Sequence, residues 1–461
     1  MVALLIENLA LVMFVTMFFI IFCGYPVAFV LGGTSLFFGL IAWSLGQFPL
    51  IKFYSILLRM WGGVAIDPVL VSLPMFIFMG ALLERSGVAK DMLDASQVML
   101  RRTPGGLAVA VMVMGTILAA PIGVVGASVV LLSLIALPPM LEAGYNKRLA
   151  IGTIASAGTL GILIPPSIML VVMGEMLNTS LGALFAAATI PGFVLSGLYL
   201  LYIWGVAIAR PEWAPKLPKE VGPQTALETW KVVMRGLMPM TVLMVVVLGS
   251  IFAGFATATE SAGVGCAGSI LIAWMNKRFS MRMLKESVRD ACRANGMVFM
   301  VFLGATGFSL VFRELGGDEL MLSVLYKLGI DTAWSLLIFV MILIFLLGFP
   351  FEWIEICLIV LPVFAPILAK MDFSAHIGSE KGAFMAWFAT IVAVNLQTAF
   401  MSPPFGATLF YMKGTVPPDC TMTDVYRGMY PFLILQVVGL FLCIWLPELS
   451  LWLPRVSGLL D

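Results

Sequence analysis

The chain has 461 residues, 61% of them hydrophobic and 11% charged, with a mean hydropathy of +1.07. A soluble domain is nearer half apolar and a quarter charged, so the composition excludes an ordinary soluble fold and gives an all-α polytopic membrane protein. The net charge of +1 makes no case for nucleic acid, and the six cysteines, scattered without a CxxC pair, read as small core residues rather than a disulfide or zinc framework.

A spanning helix takes about 20 residues, and interruptions by Gly, Pro or charge divide the chain accordingly. The first apolar run lacks a cationic leader or a cleavage site and reads as a retained helix. Membrane helices are predicted within 3–83, the first two at about 3–23 and 27–45. A charged amphipathic arm follows at 84–104, suited to the interface. Then come a long glycine-interrupted run at 106–141, a run broken at Pro-Pro over 148–178, a helix at 181–209 and a Pro-rich polar linker at 210–230. The second half repeats the order. It has helices within 232–312, with a basic stretch at 276–293 dividing them, an arm at 313–331, a glycine-interrupted run at 333–370, a Pro-Pro-broken run at 384–412 and a helix at 427–449. Residues 1–209 and 231–461 therefore read as two repeats.

The runs 106–141 and 333–370 are too long for one crossing and are interrupted in the middle, so both are predicted as re-entrant hairpins. This places 84–104, 142–148, 210–235, 276–293 and 413–427 on one side of the membrane, with 19 of the 26 Lys and Arg residues. The positive-inside rule makes that side cytoplasmic. Both termini then lie outside and the repeats are inverted.

Each half carries a conspicuous break. "GILIPPS" (Gly161 to Ser167) and "SPPFG" (Ser402 to Gly406) put consecutive prolines inside membrane runs, with Pro165 and Pro403 238 residues apart. Such a break frees carbonyls and N–H groups that lipid cannot satisfy, so it persists only within protein or at a polar cavity. Carbonyls suit a small hard cation, and N–H dipoles suit a carboxylate. The tip Gly123 to Ser128 pairs with the first break, and the tip Gly348 to Glu352 with the second; Ser167, Thr398 and Ser402 add hydroxyls. The plainer reading is that each Pro-Pro merely kinks a helix.

Glu352 stands at the second tip, where a carboxylate within the membrane calls for a functional partner; Glu355 offers a structural one. Asn395 and Gln397 line the substrate path or bond between helices. Thr257 and Glu260 read as a capping box, Glu175 and Asn178 as structural, and His376 as a solvated loop residue. There is no GxxxxGK[ST] phosphate loop, hence no ATP hydrolysis by this chain, and one loop histidine leaves an intramembrane enzyme without a catalytic set.

The runs "GYNKRLAIGTIASAGTLGILIPPSIML" (Gly144 to Leu170), "LFAAATIPG" (Leu184 to Gly192), "GFATATESAG" (Gly254 to Gly263), "GFPFEWIEICLIVLPVFAPI" (Gly348 to Ile367) and "SPPFGATLF" (Ser402 to Phe410) resemble the large membrane subunit of a tripartite ATP-independent periplasmic (TRAP) transporter, end to end. The resemblance implies an elevator-type secondary transporter of the bacterial inner membrane, with scaffold and moving domains, that couples Na+ to uptake of a small organic carboxylate. It also implies two partners, a periplasmic substrate-binding protein and a small four-helix membrane subunit. Carried onto this sequence, a first Na+ site falls on Gly123, Gly126, Ser128, Gly161, Ile164 and Ser167. A second falls on Gly348, Glu352, Thr398, Met401 and Ser402. Substrate contacts fall on Ser128, Ser167, Asn395, Gln397 and Ser402. The chain departs from the family in having one serine at the first tip and Glu rather than Asp at position 352; its "FEWIEI" leans towards 2-oxo acids. Proton coupling through Glu352 and a passive anion channel are the rival readings.

Overall fold

The computed structural model describes residues 8–123, 125–216, 223, 225–403 and 406–460. Val124 of the first tip, Pro404 and Phe405 of the second break, and parts of the N-terminal run and the linker lie outside them. The described residues are helical or irregular, with no strand, and seven of their helices are long and apolar enough to cross a membrane.

In chain order the first half holds α1 (Leu9–Phe22), α2 (Val27–Ser44), α3 (Ile51–Met60), α4 (Ser72–Arg85), α5 (Val88–Leu100), α6 (Gly106–Ile122), α7 (Val125–Glu142), α8 (Lys147–Thr159), α9 (Ile168–Leu177) and α10 (Leu181–Ala209). The second holds α11 (Ala226–Phe252), α12 (Ala258–Met275), α13 (Met281–Glu314), α14 (Gly317–Lys327), α15 (Ala333–Leu347), α16 (Trp353–Leu368), α17 (Ser374–Ile377), α18 (Ala383–Met401), α19 (Ala407–Thr415), α20 (Met422–Trp445) and α21 (Glu448–Val456).

Helix ends follow local chemistry. Asn146 caps α8 by accepting from Arg148 N at 3.0 Å. Thr257 and Glu260 form the expected capping box on α12, which satisfies two N-terminal donors reciprocally. Each such cap fixes where a membrane helix begins.

Three expectations need correction. The basic stretch 276–293 divides two helices only over 276–280: α13 begins at Met281 and runs 34 residues without a break, so Arg282, which pairs with Glu286 at 2.9 Å, belongs to its first turns. No proline interrupts the run, and charge ends the apolar part of a helix without ending the helix. The chain also continues past 427–449 into the separate helix α21. His376 is no solvated loop residue. It is half-buried, its ring lies 5.1 Å from Trp334 and 5.7 Å from Trp387, and Nε2 meets the Ile444 carbonyl at 2.7 Å.

Packing sorts the helices. In one group α2 packs on α13, α4 on α12 and α13, and α5 on α11. In the other, the hairpin α6–α7 embraces α8, α15–α16 lies against α18 and α9, and α20 packs on α8 and α18. Burial follows this division. In the most apolar stretch of α18, 89% of residues are buried, against 28% for α11. The two broken runs therefore sit inside protein, where their freed backbone groups can be satisfied, and the unbroken α11 lies at the outside of the chain.

The charged segments meet in two sets. Arg85 binds Glu286 and Asp290, Arg148 binds Asp424, and Lys147 binds Asp419. Elsewhere Lys52 pairs with Glu314, and Arg455 pairs with Glu380 and Glu448. Among the described residues no ion pair joins one set to the other.

Candidate transport site between two broken helices

The first break is built by its prolines. Pro165 and Pro166 supply no N–H, so the carbonyls of Gly161 and Ile162 lose their helical donors. The Ser167 hydroxyl donates to the Ile162 carbonyl at 2.6 Å and replaces the donor lost at Pro166. α8 ends in the tight turn Leu160–Ile162, and α9 restarts at Ile168. Ile164 leans on Gly192 of α10, where a Cβ would lie 2.7 Å from Ile164 Cγ1.

At the second break Ser402 N donates to Ala399 O at 3.1 Å, covering the carbonyl that Pro403 leaves bare. Ser402 Oγ donates to Thr398 O at 2.8 Å, and Thr398 Oγ1 to Val394 O at 2.9 Å. Donation uses each hydroxyl's proton and leaves oxygen lone pairs, so these groups retain acceptor capacity.

Each tip lies on its break. Gly123 has φ +64 and a Cβ there would lie 2.6 Å from Ile168 Cδ1, so the first tip sits on the start of α9. A Cβ on Gly348 would lie 2.3 Å from Ala399 Cβ, so the second tip sits on the last turn of α18. Both contacts exclude any side chain but hydrogen.

Two further links join the halves. Gln397 Nε2 donates to Thr159 Oγ1 at 3.2 Å, tying α18 to α8. Tyr411 of α19 bridges the tips: a Cβ on Gly126 would lie 2.5 Å from its ring, and its hydroxyl donates to Glu352 Oε1 at 3.1 Å. The tips and breaks therefore form one connected cluster. Ser128 Oγ, Gln397 Oε1 and Thr408 Oγ1 are buried there without a hydrogen-bond partner. A buried polar atom without a partner calls for an explanation, and a polar ligand supplies one. The donor set is carbonyl, hydroxyl and amide oxygen, which suits a hard cation rather than a thiophilic metal.

The family model of the tripartite ATP-independent periplasmic transporter DctM component matches residues 14–449. The chain belongs to that family. It is 29% identical over 395 residues to the C4-dicarboxylate TRAP transporter large permease protein DctM of Pseudomonas aeruginosa, covering 85% of this chain and 87% of that one. Against the DctM permease of Rhodobacter capsulatus it is 27% identical, covering 98% and 100%. In fold it is similar to the YdaH transporter of Alcanivorax borkumensis, with a TM-score of 0.61 at 14% identity, over 89% of this chain and 91% of that one. The protein is thus a transporter permease subunit rather than an enzyme.

Within this DctM-family permease the sequence candidates divide. Of the first-site candidates, Gly123 lies against Ile168, and Ser167 bonds the Ile162 carbonyl one residue past Gly161. Ile164 meets Gly192, Gly126 meets Tyr411, and Ser128 Oγ is buried without a hydrogen-bond partner. Gly348, Thr398, Met401 and Ser402 come together around the second break, where Met401 Sδ accepts from Gln436 Nε2 at 3.1 Å. Glu352 is exposed at the start of α16, with its backbone N–H held by Glu355 Oε2 at 3.2 Å. Asn395 stands apart: its Nδ2 donates to the Met341 carbonyl at 2.7 Å and ties α18 to the second hairpin. Sequence reasoning missed Thr159 and Tyr411. The first lies six residues ahead of Pro165, as Gln397 lies ahead of Pro403, so the repeat spacing itself points to it.

Proposed function

We propose that this permease carries a small organic carboxylate inward, coupled to Na+, by elevator motion of α6–α10 and α15–α21 against α1–α5 and α11–α14. The observation that carries the reading is the connected cluster: both breaks and both tips joined through Thr159–Gln397 and through Gly126, Tyr411 and Glu352. Freed carbonyls and the buried, unpartnered oxygens of Ser128 and Gln397 suit Na+, which neutralises the site before the anion arrives. Each net positive charge moved inward gains about 2.3 kcal/mol per 100 mV.

The two breaks 238 residues apart and the hydrogen bond across the same interval support an inverted repeat. The two separate sets of ion pairs support the sidedness, with the cation-rich set cytoplasmic and both termini periplasmic in a bacterial inner membrane. A periplasmic binding protein delivers the substrate, and a small four-helix membrane subunit completes the complex. C4-dicarboxylates are the first substrates to test, because the permeases of Pseudomonas aeruginosa and Rhodobacter capsulatus carry that name; 2-oxo acids come next.

The test is uptake into proteoliposomes holding the permease, its small subunit and its binding protein. A Na+ gradient drives accumulation, and Ser402→Ala and Glu352→Gln weaken the Na+ dependence. Uptake driven by pH in Na+-free buffer would instead support proton coupling. Conductance without the binding protein would support a channel.

A further inference from the structure

A cavity outside the transport cluster has a volume of about 390 Å³ and lies between the start of α8, the end of α10 and the start of α20. Three arginines line it, Arg148, Arg210 and Arg427, the last two at its exposed rim. The walls are built rather than incidental. A Cβ on Gly152 would lie 2.1 Å from the Gly428 carbonyl, and one on Gly428 would lie 2.4 Å from the Arg148 carbonyl. α8 and α20 therefore cross in backbone contact and hold Arg148 and Arg427 side by side.

The third arginine is fixed from the linker. Arg210 Cζ stacks 4.5 Å over the Trp213 ring, and the Trp213 carbonyl accepts from Asn146 N at 2.9 Å, at the start of α8. The charge is not cancelled. Arg148 Nε binds Asp424 at 3.1 Å, whereas Lys147 takes up Asp419. Among the described residues neither Arg210 nor Arg427 has a carboxylate partner. A concave site lined by one sign of charge concentrates counter-ions, and guanidinium forks match phosphate oxygens.

We propose that this cavity binds a phosphate group, with the headgroup of an anionic phospholipid as its source. Tyr202 and Pro431 give the cavity an apolar wall, and Leu201, Ile208 and Tyr430 on the same helices are exposed where acyl chains would lie. The site opens on the side holding 19 of the 26 Lys and Arg residues, and basic pockets between membrane helices on such a side take lipid headgroups. The proposal is independent of the transport reading, because its test measures binding.

The full chain, purified and stripped of lipid, is titrated with dioleoyl phosphatidylglycerol and separately with phosphatidylcholine under native mass spectrometry. In a parallel arm it is titrated with inorganic phosphate by thermal shift against chloride at equal ionic strength. The expected result is preferential binding of phosphatidylglycerol that falls about tenfold or more in Arg427→Gln and in Arg210→Gln, one to two lost charge-assisted contacts. Arg427→Lys should retain part of it, and Arg289→Gln, an equal charge change outside the cavity, should leave it intact. Arg210→Gln, in the linker, keeps the test open if Arg427→Gln fails to fold. If inorganic phosphate alone binds and does so through Arg427, the phosphate site stands and its source is soluble. If both arms are indifferent to Arg427 and Arg210, the proposal is overturned.

Discussion

Thr159 and Gln397 occupy matching places on the two broken helices, each six residues ahead of its first proline, and Gln397 Nε2 donates to Thr159 Oγ1 at 3.2 Å. The contact joins the halves within the protein interior, since both residues are fully buried. Thr159 donates its own proton to Ser156 O at 2.9 Å, while Gln397 Oε1 has no partner. Losing the cross-bond costs about 0.5–1.5 kcal/mol, and removing a buried unpaired acceptor returns a similar amount. Gln397→Met should therefore melt within about 2–4 °C of the wild type. If Oε1 serves a bound ion, the variant loses a charge-assisted contact of about 1.5–3 kcal/mol, tenfold or more in Na+ affinity. Thermal unfolding and a Na+ titration of uptake separate the two effects. A large melting loss with unchanged Na+ dependence would make Gln397 a structural residue.

Ser167 makes the opposite prediction. Its hydroxyl is the donor for a carbonyl orphaned by Pro166, at 2.6 Å within a fully buried site. Ser167→Ala leaves that carbonyl unsatisfied, which costs about 1–3 kcal/mol, and should lower the melting temperature visibly in detergent. Ser167→Thr keeps the hydroxyl and should recover much of the loss. Equal melting of wild type and Ser167→Ala would mean that another donor reaches Ile162.

What was legible in the sequence is what proline and glycine encode. Consecutive prolines mark the breaks at Pro165 and Pro403 because each stands well inside an apolar run, whereas Pro138 and Pro139, one turn from the end of α7, leave that helix continuous. The tips at Gly123 and Gly348 declare themselves because a hairpin must reverse between apolar runs. Tyr411 could not be found this way. Its role depends on Gly126 and Glu352 arriving on either side of it, and they come from hairpins in different halves of the chain. His376 misled for a related reason: its loop is polar in sequence, and the aromatic walls come from Trp334 and Trp387. Within the basic stretch 276–293 the helix break takes only 276–280, and 281–293 is helical because charge marks the membrane boundary without ending α13.

Arg313 joins the two packing groups. It lies near the end of α13 and its Nη2 donates at 2.7 Å to the Pro362 carbonyl of α16. Pro366, four residues on, supplies no N–H to that carbonyl, so Arg313 fills a gap the helix cannot. If the groups slide, this bond breaks. A hydrogen bond to a charged donor contributes about 1.5–3 kcal/mol, so Arg313→Gln should shift the population away from the arrangement described here by about tenfold or more. Spin-label distances between α13 and α16, with and without Na+ and substrate, measure it. Label distances that change in the wild type but match those of Arg313→Gln would show that the bond does not bias the motion. Fixed distances in both would count against sliding itself.

The closest fit in the cluster is between Gly348 and Ala399, where a methyl on the glycine would lie 2.3 Å from the alanine Cβ. No rotamer relieves that clash, because neither side chain can turn away. Gly348→Ala must lift the second tip from α18, at a cost of about 1–3 kcal/mol for overpacking, and with it the carbonyls that would meet Na+. The variant should reach the membrane and bind its partners, yet need a higher Na+ concentration for half-maximal uptake. Ala399→Gly removes the opposing methyl, so the double variant should recover Na+ dependence beyond the sum of the single effects, a coupling expected only of residues in contact. Additive losses would mean that the tip and the second break do not act together on the ion, and the cluster would then be a packing feature rather than a site.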